Sequence, residues 1–352
     1  MRFIHIADIH LGLEPDAGKP WSARRRQDLW DSLAAVFQVA EQEKTELILI
    51  AGDLFHRQPL QKELKEFNYL CEQLSVTKVA LIAGNHDYIH PKSNYRSFSF
   101  ASNVIFFDKE EITRVELSAM QTCIYGMSYW HREIKEGIYD EVRPEDLGKI
   151  NILLAHGGDA KHIPIAGTAM RENGFDYVAC GHIHKGGQMI RNRVVMAGSL
   201  EPTDCNDIGP HGYWKGEVTK RGCTVSFYPI KKCEYVNHIV AVNGTMTTLQ
   251  IMEKIRQDLR EKKAYQRYRI LLEGTIEPGM ELDLEQIGSL SDVVSVENHL
   301  LPAYDFTKLK ENYRGTLLEK YICEMEALPQ EIVTKEALYY GVDALYQAME
   351  QE

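Results

Sequence analysis

Five short segments carry residue types that can hold cations: Asp8-Ile9-His10, Gly52-Asp53, Gly84-Asn85-His86-Asp87, His156-Gly157 and Gly181-His182-Ile183-His184. Asp8, Asp53, Asn85, His10, His156, His182 and His184 together offer two carboxylates, one amide oxygen and four imidazoles. Such a mixed oxygen and nitrogen set suits borderline or hard divalent ions such as manganese, iron or zinc. The absence of a thiolate argues against a structural zinc site. Asp53 is the natural bridge, because one carboxylate can give an oxygen to each of two ions. In such a site, with ions roughly 3.5–4 Å apart, a bridging water attacks phosphorus in line with the leaving group. His86, directly after Asn85, would face the phosphoryl group and protonate the leaving oxygen, which typically contributes about 10²–10⁴ in rate. Each segment alone has a bland reading: Gly-Asn-His-Asp as a turn, His-x-His as a strand edge, Asp-x-His as chance. Their conjunction, in order and always at the end of an apolar run, favours chemistry.

Those runs are residues 3–7, 47–51, 79–83, 104–107, 152–155, 177–180 and 194–197. Runs this short and apolar read as strands buried on both faces of an α/β sandwich. In open α/β sheets ligands gather outside the carboxyl ends of the strands, so the five segments should share one crevice. Glycine stands before Asp53, Asn85 and His182 and after His156, where the backbone must turn sharply or approach closely. Helical spacing of Leu29, Leu33, Val36, Phe37 and Ala40 predicts a helix over 23–44. Pro59 reads as the first residue of a second helix through about 74. From about residue 233 the pattern changes to a small α/β unit, with strands at 236–242, 267–272 and 293–296 and a helix near 249–262. Beyond 304, Leu309, Tyr313, Leu317, Tyr321 and Met325 form one stripe; Leu338, Val342, Leu345 and Met349 form another after Pro329. An αα-hairpin is the natural reading.

The chain has 352 residues and a net charge of −11. Residues 304–352 hold five basic and ten acidic residues, which leaves 35 against 41 for the rest. Net acidity weighs against a nucleic-acid binder, but bound divalent cations would offset it at the site itself. No run approaches the roughly 18 apolar residues of a membrane span. The N-terminus runs into a strand without the layout of a signal peptide. Seven scattered cysteines without a CxxC pair favour reduced thiols in a cytoplasmic protein.

The series DIH, GDLFH, GNHD, AHG and GHIH resembles the calcineurin-like metallophosphoesterase superfamily over roughly residues 1–200. Within it the chain most resembles the SbcD-type DNA repair nucleases, on GDLFH with His56 three residues after Asp53, GNHDYIHPKSNYRSF, and AGSLEP at 197–202. The resemblance implies a four-layer α/β/β/α sandwich over 1–232, a smaller α/β capping domain over 233–303 and a C-terminal helical hairpin over 304–352. It implies one metal on Asp8, His10, Asp53 and His184 and another on Asp53, Asn85, His156 and His182. His86 would be the transition-state and leaving-group histidine, and His56 a further active-site histidine that positions the DNA end. Relatives of this kind use manganese, act as 3′-to-5′ exonucleases and single-strand endonucleases, form homodimers and join an SbcC-type ATPase. The dimer helices would be those at 23–44 and from Pro59, whose apolar faces read equally well as ordinary sheet-packing stripes.

Other residues keep two readings. Arg24, Arg25 and Arg26 form either a solvated helix end or a phosphate-backbone contact, and Arg96 stands in the same position. Trp21 either packs or stacks on a base. His5 reads as a core residue; His162, six residues past a ligand-bearing strand, is either remote from the site or touches it. Two rival functions stand beside the nuclease: a phosphatase or phosphodiesterase for small nucleotides or phosphoproteins, since fold does not fix substrate, and a non-catalytic scaffold, which would not need the complete donor set.

Overall fold

A computed structural model describes residues 1–260, 263–329 and 331–350; the last two residues of the helix expected near 249–262 lie outside these. The chain divides into two compact units, Met1–Tyr235 and Val236–Glu352.

The first unit holds two six-stranded sheets. One contains β1 (Arg2–Ile6), β2 (Leu47–Ala51), β3 (Lys78–Ile82), β4 (Val104–Phe106), β11 (His211–Thr219) and β12 (Gly222–Ile230). The other contains β5 (Thr113–Leu117), β6 (Thr122–Gly126), β7 (Ile150–His156), β8 (Tyr177–Gly181), β9 (Gly187–Ile190) and β10 (Val194–Met196). β1, β2, β3 and β4 run parallel, as do β6, β7, β8 and β10. The sheets face each other across an apolar layer that includes Leu47, Leu49, Ile82, Ile152 and Leu154. The outer face of the first sheet is covered by α1 (Ser22–Gln42) and α2 (Gln61–Glu72), whose Leu29, Leu33, Phe37 and Phe67 join Ile4, Ile48 and Ile50. On the outer face of the second sheet, Tyr139 of α3 (Ile138–Glu141) and Met170 of α4 (Gly167–Glu172) pack on Leu153 and Val178. The fold is thus the expected α/β/β/α sandwich, and burial on both faces accounts for the unbroken apolar runs.

Pro59 differs from its expected position. α2 begins at Gln61, with Leu60 as the flanking residue whose N–H is taken by the Glu63 carboxylate at 2.8 Å. Glu63 reaches back to cap the helix, so Pro59 stays outside it.

The second unit holds a three-stranded sheet of β13 (Glu234–Val242), β14 (Gln266–Ile276) and β15 (Val293–Pro302), with α5 (Thr248–Arg260) and α6 (Leu284–Gly288). The C-terminal stripes lie on α7 (Phe306–Asn312), α8 (Leu317–Ala327) and α9 (Ile332–Glu350). The first stripe is broken at Gly315, whose φ of +84° ends helical geometry. Leu318 and Ile322 of α8 bury against Leu338 and Val342 of α9 as the hairpin. Among the described residues no helix is long and apolar enough to cross a membrane.

Candidate metal centre

β1, β2 and β3 in one sheet and β7 and β8 in the other deliver the five motif segments to one edge of the sandwich. There the loops are stitched together: Asp8 N–H donates to the Gly52 carbonyl (3.1 Å), and Ile9 and His10 N–H both donate to that of Asp53 (3.0 and 3.1 Å). A Cβ at Gly181 would lie 2.1 Å from the Ala51 carbonyl oxygen, and one at Gly84 would lie 2.3 Å from Asp53 Oδ1. Only glycine permits the sheets and loops to close this far. Asp8, His10, Asp53 and His182 adopt positive φ (50°, 52°, 49° and 95°). That is an unfavourable backbone for side-chain-bearing residues, and it is concentrated where the polar groups converge.

All seven expected donors meet here. His10 Nε2 lies 3.0 Å from His184 Nε2, and Asn85 Oδ1 is 2.9 Å from His156 Nε2 and 3.1 Å from His182 Nδ1. Asp53 Oδ2 stands between the two groups, 3.9 Å from His10 Nε2 and 3.5 Å from His156 Nε2. Donor atoms of Asp8, His10 and His184, and of Asp8, Asp53 and His156, each lie within 4.8 Å of one another. His86 is half-buried beside them. Its N–H donates to Asp53 Oδ1 (2.9 Å), its Nδ1 is 3.1 Å from the His56 carbonyl, and its ring stacks 4.9 Å from that of His56.

The electrostatics favour cation binding. Burial pushes the Asp8 carboxyl up to about 6, against the pull of His156 and His184. Burial also opposes the charge of Asp53, yet His156 and His10 hold it well below the usual carboxylate range. Burial depresses His10, and burial with His156 brings His182 down to about 4, so both keep a nitrogen lone pair at neutral pH. His156 rises to about 9 because Asp53 outweighs its burial. The lone pairs of His10 and His182, a carboxylate and an amide oxygen are what a divalent cation satisfies, His156 and His184 would yield their protons to it, and the residues present fit such a group.

Three carboxylates to which the sequence alone assigns no role support this cluster. Asp159 Oδ2 is 2.8 Å from His182 Nε2, and Asp207 Oδ2 is 3.1 Å from His184 Nδ1 while accepting the Thr203 hydroxyl. Asp87 accepts N–H groups of Gly84 (2.8 Å) and Phe55 (3.1 Å) and the Tyr95 hydroxyl (2.7 Å), pinning the 84–87 loop to the one after β2. His156 Nδ1 lies 2.8 Å from the Ala51 carbonyl. Partners of this kind set tautomer and ring orientation. Asp159→Ala should lower divalent-cation affinity by about 10–100-fold without changing the melting temperature of metal-stripped protein; competition titration with a metal-sensitive dye checks this. His162 touches the site through the same carboxylate: its Nδ1 is 3.0 Å from Asp159 and its ring 4.5 Å from that of His182.

The arginines separate. Arg24 is exposed and paired with Asp28 (2.9 Å) and Asp31 (3.2 Å), and Arg26 is exposed. Arg96 is exposed over the Trp130 ring, 5.5 Å from its centroid. Trp21 donates its indole N–H to Asp16 (2.6 Å), and His5 is buried beside the Tyr177 hydroxyl (3.0 Å). Arg25 departs from both of its readings, being only 1% exposed. Its Nη1 meets Glu201 at 3.2 Å and Asp28 at 3.5 Å, and its Nη2 donates to the Pro202 carbonyl. It is neither a solvated helix end nor free for a phosphate.

Glu201 makes this network pH-sensitive. Burial pushes its carboxyl from 4.5 up to about 7, against the pull of Arg25 and Ser32. The folded chain thus holds the proton more tightly than the unfolded chain, and stability falls as pH rises through that window. Glu201→Gln lacks this loss. Its melting temperature relative to the wild type should rise between about pH 4.5 and about pH 7, as scanning calorimetry can follow.

Two facing sheets with a carboxylate and imidazole cluster at their shared edge define a metallophosphoesterase. The chain belongs to the calcineurin-like phosphoesterase family, whose model matches residues 1–186. It is similar to a metallophosphoesterase of Bacillus subtilis (strain 168), YhaO, with 27% identity over 299 residues, 78% of this chain and 72% of the relative. It is also similar to the DNA double-strand break repair protein Mre11 of Sulfolobus acidocaldarius, at 25% identity over 91% of this chain and 86% of that one. The SbcD component of the nuclease SbcCD of Staphylococcus epidermidis is 28% identical over 57% of this chain and 61% of that one.

Proposed function

We propose that this metal-dependent phosphoesterase is a DNA nuclease of the SbcD kind, a 3′-to-5′ exonuclease and single-strand endonuclease that serves DNA repair in the cytoplasm. The observation that carries the proposal is the convergence of seven donors on Asp53 with His86 and His56 alongside. The relatives named for double-strand break repair and as part of a nuclease supply the substrate class. Asp8, His10, Asp53 and His184 would hold one ion and Asp53, Asn85, His156 and His182 the other, with manganese the expected metal. Bound divalent ions supply Lewis acidity at phosphate and a nucleophilic water at neutral pH. The protein's own part is positional and protolytic. Asp53 Oδ1, which takes the His86 backbone N–H, and the His56 carbonyl orient His86; with Nδ1–H donating to that carbonyl, the doubly protonated ring would pass its Nε2 proton to the leaving oxygen. His56, stacked on His86, would help to seat the DNA end, with Arg24, Arg26 and Arg96 as phosphate contacts. The 233–303 segment would cap the DNA, α1 and α2 would pair two copies, and the 304–352 helices would meet an SbcC-type ATPase.

A net charge of −11 favours a rival, hydrolysis of small nucleotides or phosphoproteins. With manganese, the purified protein should shorten a duplex labelled at one 5′ end progressively from its 3′ end. Hydrolysis of a cyclic nucleotide or phosphomonoester without any shortening of the duplex would reject the nuclease reading. DNA affinity should fall steeply with salt, as phosphate contacts require.

A further inference from the structure

At the other end of β8 from His182 and His184, three turns border an open surface depression of about 450 Å³. They are residues 174–176, entering β8, the β9–β10 turn at 191–193 and the β11–β12 turn at 220–222. Five cations line the depression, Arg171, Arg191, Arg193, Lys220 and Arg221, against the carboxylates Glu172 and Asp176. Asp176 is committed: its oxygens take the Lys220 ammonium at 2.9 and 2.8 Å, and Oδ2 also accepts the Asn151 N–H. Arg193 donates Nε to the Phe175 carbonyl (3.1 Å) and Nη2 to the Met170 carbonyl (2.8 Å). This fixes its guanidinium plane and leaves Nη1 without an acceptor among the described residues. Arg171, Arg191 and Arg221 are exposed, and their side chains make no ion pair among the described residues. The wall is tied across the two sheets, because Asn192 Oδ1 accepts the Val225 N–H at 3.3 Å.

Such clustering is conspicuous in a chain with a net charge of −11. Like charges repel, and Glu172 alone remains to answer the arginines. A concave, cationic surface concentrates anions, and the guanidinium fork matches phosphate oxygens two at a time. The space suits a ligand of nucleotide size. β8 has five residues and rises about 3.3 Å per residue, so a ligand here sits roughly 16 Å from the Asp53 cluster. We propose that this pocket binds a small, multiply charged phosphate anion, either pyrophosphate or the polyphosphate of a nucleotide, at a site separate from the metal centre.

The test is calorimetric titration of the metal-stripped full chain with pyrophosphate and with ADP at low salt, in chelator so that the Asp53 cluster takes no phosphate. Saturable binding is expected. Arg191→Glu combined with Arg221→Glu should weaken it by more than about tenfold, since each removes charge-assisted hydrogen bonds. Both residues lie in exposed turns, and circular dichroism checks that the double variant is folded. Equal affinities assign the site to the phosphates alone, and tighter ADP binding assigns it to a nucleotide; either supports the proposal. No saturable heat, an unchanged affinity in the double variant, or binding of duplex DNA without pyrophosphate overturns it.

Discussion

Replacing His86 with alanine should lower phosphodiester hydrolysis by about 10²–10⁴-fold while leaving the bound metal content unchanged. The expectation follows from what His86 does and does not touch. Its side chain is outside the seven-donor set, and its Nδ1 is engaged by the His56 carbonyl. On the proposed reading the ring would serve as a proton carrier rather than as a ligand, even though its ligand atom lies within 4.8 Å of those of His10 and His56. The defect should depend on the leaving group. An alkoxide departing from DNA needs a proton, whereas 4-nitrophenolate is stable without one. Activity on bis(4-nitrophenyl) phosphate should therefore fall much less than activity on DNA. If the variant loses metal along with activity, His86 is a ligand. An equal loss on both substrates would mean that it stabilises charge on the phosphoryl group without donating a proton.

How much of this is legible in the sequence depends on the size of the local signal. The five motif segments and their strands can be read because parallel strands buried on both faces have nearly uninterrupted apolar sequences, and because the polar residues that follow them stand out. β5, with the sequence Thr-Arg-Val-Glu-Leu, escapes notice because it is an edge strand whose charged residues break the run. The β11–β12 hairpin escapes for a related reason: β12 is mostly exposed, and the buried end of β11 reads His-Gly-Tyr-Trp, so neither strand reads as a continuous apolar run. Asp159 and Asp207 sit in irregular segments with no periodicity, and only folding brings them to His182 and His184. Asp87 stands within the Gly-Asn-His-Asp motif, but its task is to hold three loop groups in place, and no residue spacing announces that. The proline misleads because Glu63, three residues beyond Leu60, fixes the helix start more firmly than Pro59 does.

Arg25 is where local sequence misleads most, and the correction carries a large expected effect. Three consecutive arginines at a helix start read as a basic surface, yet helical geometry turns the middle one inward to Glu201, in the AGSLEP segment. That segment leads to Thr203 and Asp207, which hold His184. Arg25→Ala would leave Glu201, itself 1% exposed, without its cation. Below about pH 7 Glu201 takes up a proton and losing that cation costs less. Above about pH 7, where Glu201 carries its charge, removing one partner from a buried pair costs up to about 3–5 kcal/mol, because the other charge stays desolvated and unanswered. For a unit of this size that lowers the melting temperature by on the order of 10 °C. A DNA-contact role predicts the opposite pattern: unchanged melting, weaker DNA binding and a shallower salt dependence. Should the single variant fail to fold, Arg25→Met with Glu201→Leu keeps the question open to measurement. With both charges gone no buried ion is left unpaired, although Ser32 loses its acceptor and the Pro202 carbonyl its donor, so the double variant should recover part of the stability lost by the single one. A double variant no more stable than Arg25→Ala would show that the arginine acts through contacts other than Glu201.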